Sequence, residues 1–258
     1  MYLDKENTMR LTILGSGTMM PTQRRYPAAY LVEEGDTKLL LDCGHLTIAR
    51  LIEHGIDLHS ITAVGITHFH TDHFSHLLPL VHARWVDDMV QQKQHRPLTV
   101  FGPATLEERF KKLREVMWPE PTESYAVSFV EGAVSHKVDN LALMTFTIQH
   151  VSWFPSVGFK VIAGGKSLVY TGDLNSEQGV QFEEDIRGVD VLLIEAGAVR
   201  PSKTHFTAEQ AVQLAQRGGV KRVMLTHVRE DRVAQIQPLI TQYPDLLTLA
   251  EDGMAIDL

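Results

Sequence analysis

Cysteine is nearly missing from this 258-residue sequence, which holds only Cys43. One thiol excludes an intramolecular disulfide and any zinc knuckle built from cysteines. Its surroundings, Leu39-Leu40-Leu41-Asp42-Cys43-Gly44, read as a buried strand and its turn, a poor setting for a reactive thiolate. Long apolar runs are missing too: none approaches the ~18 residues of a transmembrane helix, so no membrane partner is expected. The start, Met1-Tyr2-Leu3-Asp4-Lys5-Glu6, lacks the basic and apolar stretches of an export signal, and a soluble cytoplasmic protein is expected. Excess positive charge is also lacking. The formal net charge of −8 argues against a general polyanion-binding surface, while a local basic patch remains compatible with it. Gly15-Ser16-Gly17-Thr18 lacks the third glycine of a dinucleotide loop, and Pro21 blocks an immediate helix. There is no repeat at a solenoid period and no low-complexity segment.

What is present is a cluster of imidazoles. In Thr67-His68-Phe69-His70-Thr71-Asp72-His73 the histidines and aspartate follow an apolar run, Ile61 to Ile66, whose alternation and β-branched content predict a strand to Thr67. Neutral imidazole with carboxylate matches the preferences of Zn, Mn and Fe. Period-two alternation projects His68 and His70 to one side, where both can bind one ion. Asp72 and His73 follow where the chain turns and can reach a second ion. A histidine-rich surface loop is the plain alternative, and the spacing His-x-His-x-Asp-His argues against it.

A hydrophobic content of 44% is enough to bury a substantial core, and a single globular domain over residues 1–258 is expected. Residues 1–8 read as loose or as part of an edge. Expected strands cover Met9–Leu14, then a hairpin of Ala28–Val32 and Lys38–Asp42, then Leu98–Phe101, Tyr125–Val130 and Leu141–Ile148. Phe159–Ala163 and Ser167–Tyr170 form another hairpin, and Val189–Ile194 and Val220–Thr226 precede short strands near Leu247 and Ala255. Helices are expected from Gly44 to Gly55 and over Leu77–Val86, Ala104–Met117, Thr207–Arg217 and Val233–Tyr243. Trp118–Glu123 reads as a linker. This pattern predicts a mixed β core covered by helices. His68, His150, Asp173 and His227 each fall just after an expected strand, and polar residues at strand ends converge on one edge of layered sheets. His76 and His82 read as neighbours of the site rather than ligands. Arg24 and Arg25, in the proline-bounded loop 21–27, can present forks to a phosphate.

The ordered set His68-Phe69-His70-Thr71-Asp72-His73, His150, Asp173 in Thr-Gly-Asp, and His227 in Leu-Thr-His resembles the metallo-β-lactamase superfamily over essentially the whole chain. That resemblance implies an α/β fold, an αββα sandwich of two mixed β-sheets flanked by helices. Within the superfamily the chain looks like the ribonuclease Z and related phosphodiesterase branch, through Leu14–Thr18 and Leu41–Gly44. Pro21-Thr22-Gln23-Arg24-Arg25 resembles its Pro-x-Lys-x-Arg loop, with Gln23 in place of lysine. Ile194-Glu195-Ala196-Gly197 and His205-Phe206-Thr207 are similar to its His-Glu-Ala-Thr and His-Ser-Thr loops, with replacements in each. Many ribonuclease Z proteins insert a long glycine- and proline-rich arm that grips the tRNA elbow. Here the interval from Gly102 to His150 holds only a helix, a linker and two expected strands.

The resemblance implies two divalent ions, zinc foremost and Mn or Fe as alternatives. His68, His70 and His150 would bind one, Asp72, His73 and His227 the other, and Asp173 would bridge them. A hydroxide held by the pair would attack phosphorus, with Asp72 orienting or deprotonating the water. His205 would protonate the leaving oxygen, Glu195 would fix its ring, and Arg24 or Arg25 would hold a substrate phosphate. The implied activity is hydrolysis of a phosphodiester in a nucleotide, cyclic nucleotide or small RNA. Alternatives are tRNA 3′ processing, lactone or thioester hydrolysis, and a non-enzymatic metal or nucleic-acid binding module. A homodimer is expected by analogy with ribonuclease Z proteins.

Overall fold

Aliphatic and β-branched runs are extended throughout the computed structural model, which describes residues 8–91, 96–118, 123–178 and 180–258. The expected loose start, up to residue 7, and the middle of the expected linker, residues 119–122, lie outside the described residues. The chain opens with β1 (Arg10–Gly15), antiparallel to β2 (Ala29–Glu34), which turns at Gly35 and Asp36 into β3 (Thr37–Leu41). After α1 (Thr47–Glu53), β4 (Ala63–Gly65) lies parallel to β3. α2 (Thr71–Phe74) and α3 (Leu77–Gln91) lead to β5 (Leu98–Gly102), α4 (Leu106–Met117) and β6 (Val127–Glu131).

An antiparallel meander begins the second half: β7 (Ser135–Val138), β8 (Leu141–Ile148), β9 (Ser156–Ala163) and β10 (Lys166–Tyr170). Parallel strands follow, β11 (Val191–Glu195), β12 (Arg222–Thr226) and β13 (Leu247–Leu249), separated by helices. Those helices are α5 (Val180–Asp185) before β11, α6 (Ala208–Gly218) before β12, and α7 (Val233–Gln242) before β13. Finally β14 (Ala255–Asp257) crosses back to pair with β1. Among the described residues the strands form two seven-stranded sheets, ordered β14-β1-β2-β3-β4-β5-β6 and β13-β12-β11-β10-β9-β8-β7. No described helix is long and apolar enough to cross a membrane.

The sheets stack face to face, and strand periodicity explains how. Leu39 and Leu41 join Leu143, Phe159, Val161 and Leu193 in a cluster between the sheets, while Leu40 faces the helices with Leu51, Leu77 and Leu80. On the other sheet Val191 and Leu193 face inward, and Leu192 and Ile194 pack against Ala211, Val212 and Ala215 of α6. Strands buried on both faces read as continuous apolar runs, as Leu-Leu-Ile of β11 does. Each such side chain contributes about 1.5–3 kcal/mol on burial. The result is the αββα sandwich.

Some elements differ from their sequence expectation. The strand expected over Ile61–Thr67 is only β4, because the Thr67 amide leaves the ladder and donates to Asp42 Oδ1 at 2.7 Å. β7 was not expected: Ser135-His136-Lys137 is exposed and polar and carries no alternation signal. α5 was not expected either, and α3 continues past Val86 to Gln91. α4 begins at Leu106 because Thr105, at φ 73°, is not helical. α6 begins one residue after Thr207, which caps it reciprocally: Thr207 accepts from the Gln210 amide and Gln210 accepts from the Thr207 amide.

Candidate metal centre

Strand ends and the loops after them gather the polar residues at one rim of the sandwich. Beneath them lies Asp42, fully buried directly after β3. Its carboxylate accepts from the Thr67 amide and hydroxyl, from Tyr170 OH at 2.6 Å and from His73 Nδ1 at 2.6 Å. A buried charge is tolerated only with such partners. These bonds fix the loop carrying His68 and His70 and turn Nε2 of His73 away from Asp42. Two glycines permit the close approach of backbone here. A Cβ on Gly44 would stand 2.1 Å from the Asp72 carbonyl oxygen, and one on Gly172, at φ +60°, would stand 2.6–2.8 Å from Thr67 side-chain atoms.

Although Thr67–His70 is not strand, His68 and His70 do face one point. His68 Nε2 lies 3.0 Å from His70 Nδ1, and His150 Nε2 lies 3.3 Å from the same atom. With Asp173 they offer one set of ligand atoms all within 4.8 Å of one another, and Asp72, His73 and His227 offer another. Asp173 faces both sets. Its Oδ2 is 3.8 Å from His68 Nε2 and 3.9 Å from His150 Nε2, while its Oδ1 is 3.4 Å from His73 Nε2 and 3.6 Å from His227 Nε2. His227 is held at φ 54°, a conformation that non-glycine residues adopt at a cost of about 1–3 kcal/mol.

The residues fit divalent metal. His73 Nε2 and Asp173 Oδ1 are buried and have no hydrogen-bond partner, so their lone pairs are available to an ion. Burial, reinforced by neighbouring imidazoles, pushes the proton affinity of His68 well down. Burial also brings the His150 pKa down to about 4 and lowers that of His70. Neutral imidazole is the form that donates to metal. Around the second set the field is reversed: burial opposes protonation of His73, but Asp173, Asp42 and Asp72 outweigh it and raise its pKa to about 10. Burial likewise opposes ionisation of Asp72 and Asp173, yet the surrounding histidines hold both below the ordinary carboxylate range. The pocket favours positive charge.

A second arrangement adjoins these sets. Glu195, fully buried at the end of β11, accepts from the amides of Leu174 and Gly197 and from His205 Nδ1 at 2.9 Å. Burial lowers the His205 pKa, but the hydrogen bond and charge of Glu195 win and raise it to about 9. For Glu195, burial and the Asp173 charge raise the carboxyl, so one proton is held tightly within the pair. His205 Nδ1 stands 3.8 Å from Asp173 Oδ2.

A model of the β-lactamase superfamily domain matches residues 37–228. The chain belongs to this superfamily. The ribonuclease Z of Methanopyrus kandleri is 30% identical over 297 aligned positions, covering 98% of this chain and 99% of that protein. The ribonuclease Z of Haloferax volcanii is 25% identical, covering 97% and 95%. Among solved structures, the metallo-β-lactamase fold protein YhfI from Bacillus subtilis superposes with a TM-score of 0.82 at 21% identity, covering 98% of this chain and all of that one. A diphosphatase of the PhnP family gives 0.78 at 20% identity, covering 97% and 98%. These likenesses establish the metallo-β-lactamase fold.

In this superfamily member the arginines are placed differently from the sequence reading. Arg25, 4% exposed, donates to Ser16 Oγ and the Ala250 carbonyl, both at 3.0 Å, and so braces loop 16–26. Arg24 is exposed and lines a separate cavity with Arg50 and Asp252. Neither lines the cleft over the histidines. That cleft, of about 410 Å³, is bordered by Asp173, His205, Gly197, Arg229 and Arg232. Sequence reasoning passed over Arg229, Arg232 and Asp42. A carboxylate directly after an apolar strand was the available signal for Asp42, and no local signal marked the arginines. His76 and His82 stay outside both ligand sets, His76 Nε2 accepting from the Leu46 amide and His82 stacking on Trp118.

Proposed function

We propose that the protein is a metal-dependent phosphodiesterase acting on a nucleotide, cyclic nucleotide or small RNA. The observation that supports this most is the position of Asp173, whose two oxygens face separate ligand sets while His205 stands beside it. His68, His70 and His150 would hold one divalent ion, Asp72, His73 and His227 the other, and Asp173 both, with zinc favoured by the nitrogen and oxygen donors. Such ions, when bound, lower the pKa of water and draw charge from a phosphoryl oxygen. Structural zinc sites close four-coordinate around one ion, which makes a purely structural role a poor account of two sets sharing a carboxylate.

The chain's own groups supply the proton transfers. Asp72 is positioned to orient water and accept its proton. His205 donates from Nδ1 to Glu195, which leaves Nε2–H for the departing oxygen. Glu195 thereby fixes both the ring and its proton. This acid is suited to an alkoxide leaving group and has no evident task in hydrolysing a thioester, whose thiolate departs unprotonated.

Metal-loaded protein should hydrolyse bis(p-nitrophenyl) phosphate. Inactivity on this diester and on a precursor tRNA, with activity on lactone or thioester models, would overturn the reading. The ribonuclease Z relatives favour a second reading, tRNA 3′ processing. Cleavage of the precursor tRNA at its 3′ side in a parallel assay would select it.

A further inference from the structure

We propose that Arg232 is a specificity-determining residue that binds a second phosphoryl group of the substrate, beyond the one that is hydrolysed. This rests on the phosphodiesterase reading of the same cleft. The cleft has the volume of a small-molecule site, and its wall carries Arg229 and Arg232. The two arginines are not equivalent. The fork of Arg229 is taken by Asp231, with bonds of 3.0 and 2.8 Å. Arg24 and Arg25 both approach Glu230 at 3.7 Å, outside the cleft.

Arg232 is half-buried and donates from one nitrogen to the Gly197 carbonyl. Among the described residues its side chain makes no other hydrogen bond and no ion pair. A guanidinium has five N–H donors, so most of this fork is unused. A partly desolvated cation without an anion is unfavourable, and a phosphate, which the fork matches bidentately, satisfies it.

Its placement relates it to the reacting centre. Gly197 lies two residues after Glu195, which holds His205, and a Cβ on Gly197 would meet Nδ1 of His227 at 3.3 Å. The bond to Gly197 therefore anchors the fork on the segment that carries the acid pair. One phosphoryl occupies the ligand sets and His205, and a second, further along the cleft, meets Arg232. In the reaction a P–O bond to water forms as Asp72 takes the water's proton, the P–O bond to the leaving group breaks, and the leaving oxygen takes its proton from His205. A second phosphoryl separated by a nucleoside is unchanged, and one joined as an anhydride departs as the phosphate leaving group.

The test uses the zinc-loaded full chain and its R232Q and R232K variants with three substrates: UpU, the 5′-phosphorylated pUpU, and P1,P2-diuridine diphosphate. Wild type should favour at least one substrate with a second phosphoryl over UpU by about tenfold or more in kcat/KM, mainly through KM. The favoured one tells whether that group is separated by a nucleoside or joined as an anhydride. R232Q should bring the ratio close to one, and R232K should restore part of it. Comparing substrates within each variant cancels any general disturbance of the Gly197 segment. Binding of uridine 3′,5′-bisphosphate against uridine 3′-phosphate, by calorimetry, reads the same subsite without turnover. Equal rates on all three substrates in wild type, or a preference that survives in R232Q, would overturn the role of Arg232. Arg232-dependent bisphosphate binding without hydrolysis of any diester would instead keep the anion subsite and overturn the phosphodiesterase reading.

Discussion

Asp42 holds His73: its Oδ2 lies 2.6 Å from the Nδ1 of that ring, and both side chains are fully buried. The bond selects the tautomer that aims Nε2 at Asp173, so the carboxylate would act on metal affinity through this ring. Asp42→Asn should fold and bind zinc about 10–100-fold more weakly, measured by competition with a chromophoric chelator. Asp42→Ala also strands the Tyr170 hydroxyl and Thr67, and should lose about 3 kcal/mol in urea denaturation.

Asp173 faces both sets through different oxygens, and the proposed function makes it a ligand in each. Asp173→Ala should therefore lose bound metal by elemental analysis. Retention of two ions per chain would contradict the shared-ligand assignment.

Removal of metal should be felt by the fold. The buried imidazoles and carboxylates of the rim repel or lie unpaired without a cation. Chelation should lower the Tm, and added zinc should restore it in a concentration-dependent way.

His205→Ala should leave metal content unchanged and reduce turnover by about 10²–10⁴ on diesters with alkoxide leaving groups. The loss should be far smaller with p-nitrophenolate, which departs unprotonated. The pH profile gives a further check. A general acid works only while protonated, so activity falls as pH rises through the His205 pKa. Glu195 raises that pKa to about 9 against the effect of burial. In Glu195→Gln the alkaline fall should move to lower pH.

Thr207→Ala removes the reciprocal cap of α6 and should cost about 1 kcal/mol. Metal affinity should stay the same, because the cap lies after His205 and outside the ligand sets.

The layered fold was legible because its signals are local. Leu39-Leu40-Leu41 reads as a strand whether or not its neighbours are known, and the position of His68, His150, Asp173 and His227 after such runs already implied a common rim. Features that depend on distant partners were not legible. Arg25 sits in what looks like a surface loop, yet its partner Ala250 comes from the other end of the chain. Asp42 acquires its role only when Thr67, His73 and Tyr170 close around it. β7 is written in polar residues because it is an exposed edge, held by the register of β8 rather than by burial.

Asp252 accepts from Ser16 and from the Tyr26 amide, close to where β14 is laid against β1. The loop beside the rim is thus fastened by residues made more than two hundred positions later. During synthesis the first sheet has an open edge at β1 until Ala255–Asp257 leaves the ribosome, and His227, the last member of the two sets in chain order, emerges only shortly before. The set of Asp72, His73 and His227 is accordingly brought together late in synthesis, after all members of the set of His68, His70, His150 and Asp173 have been made.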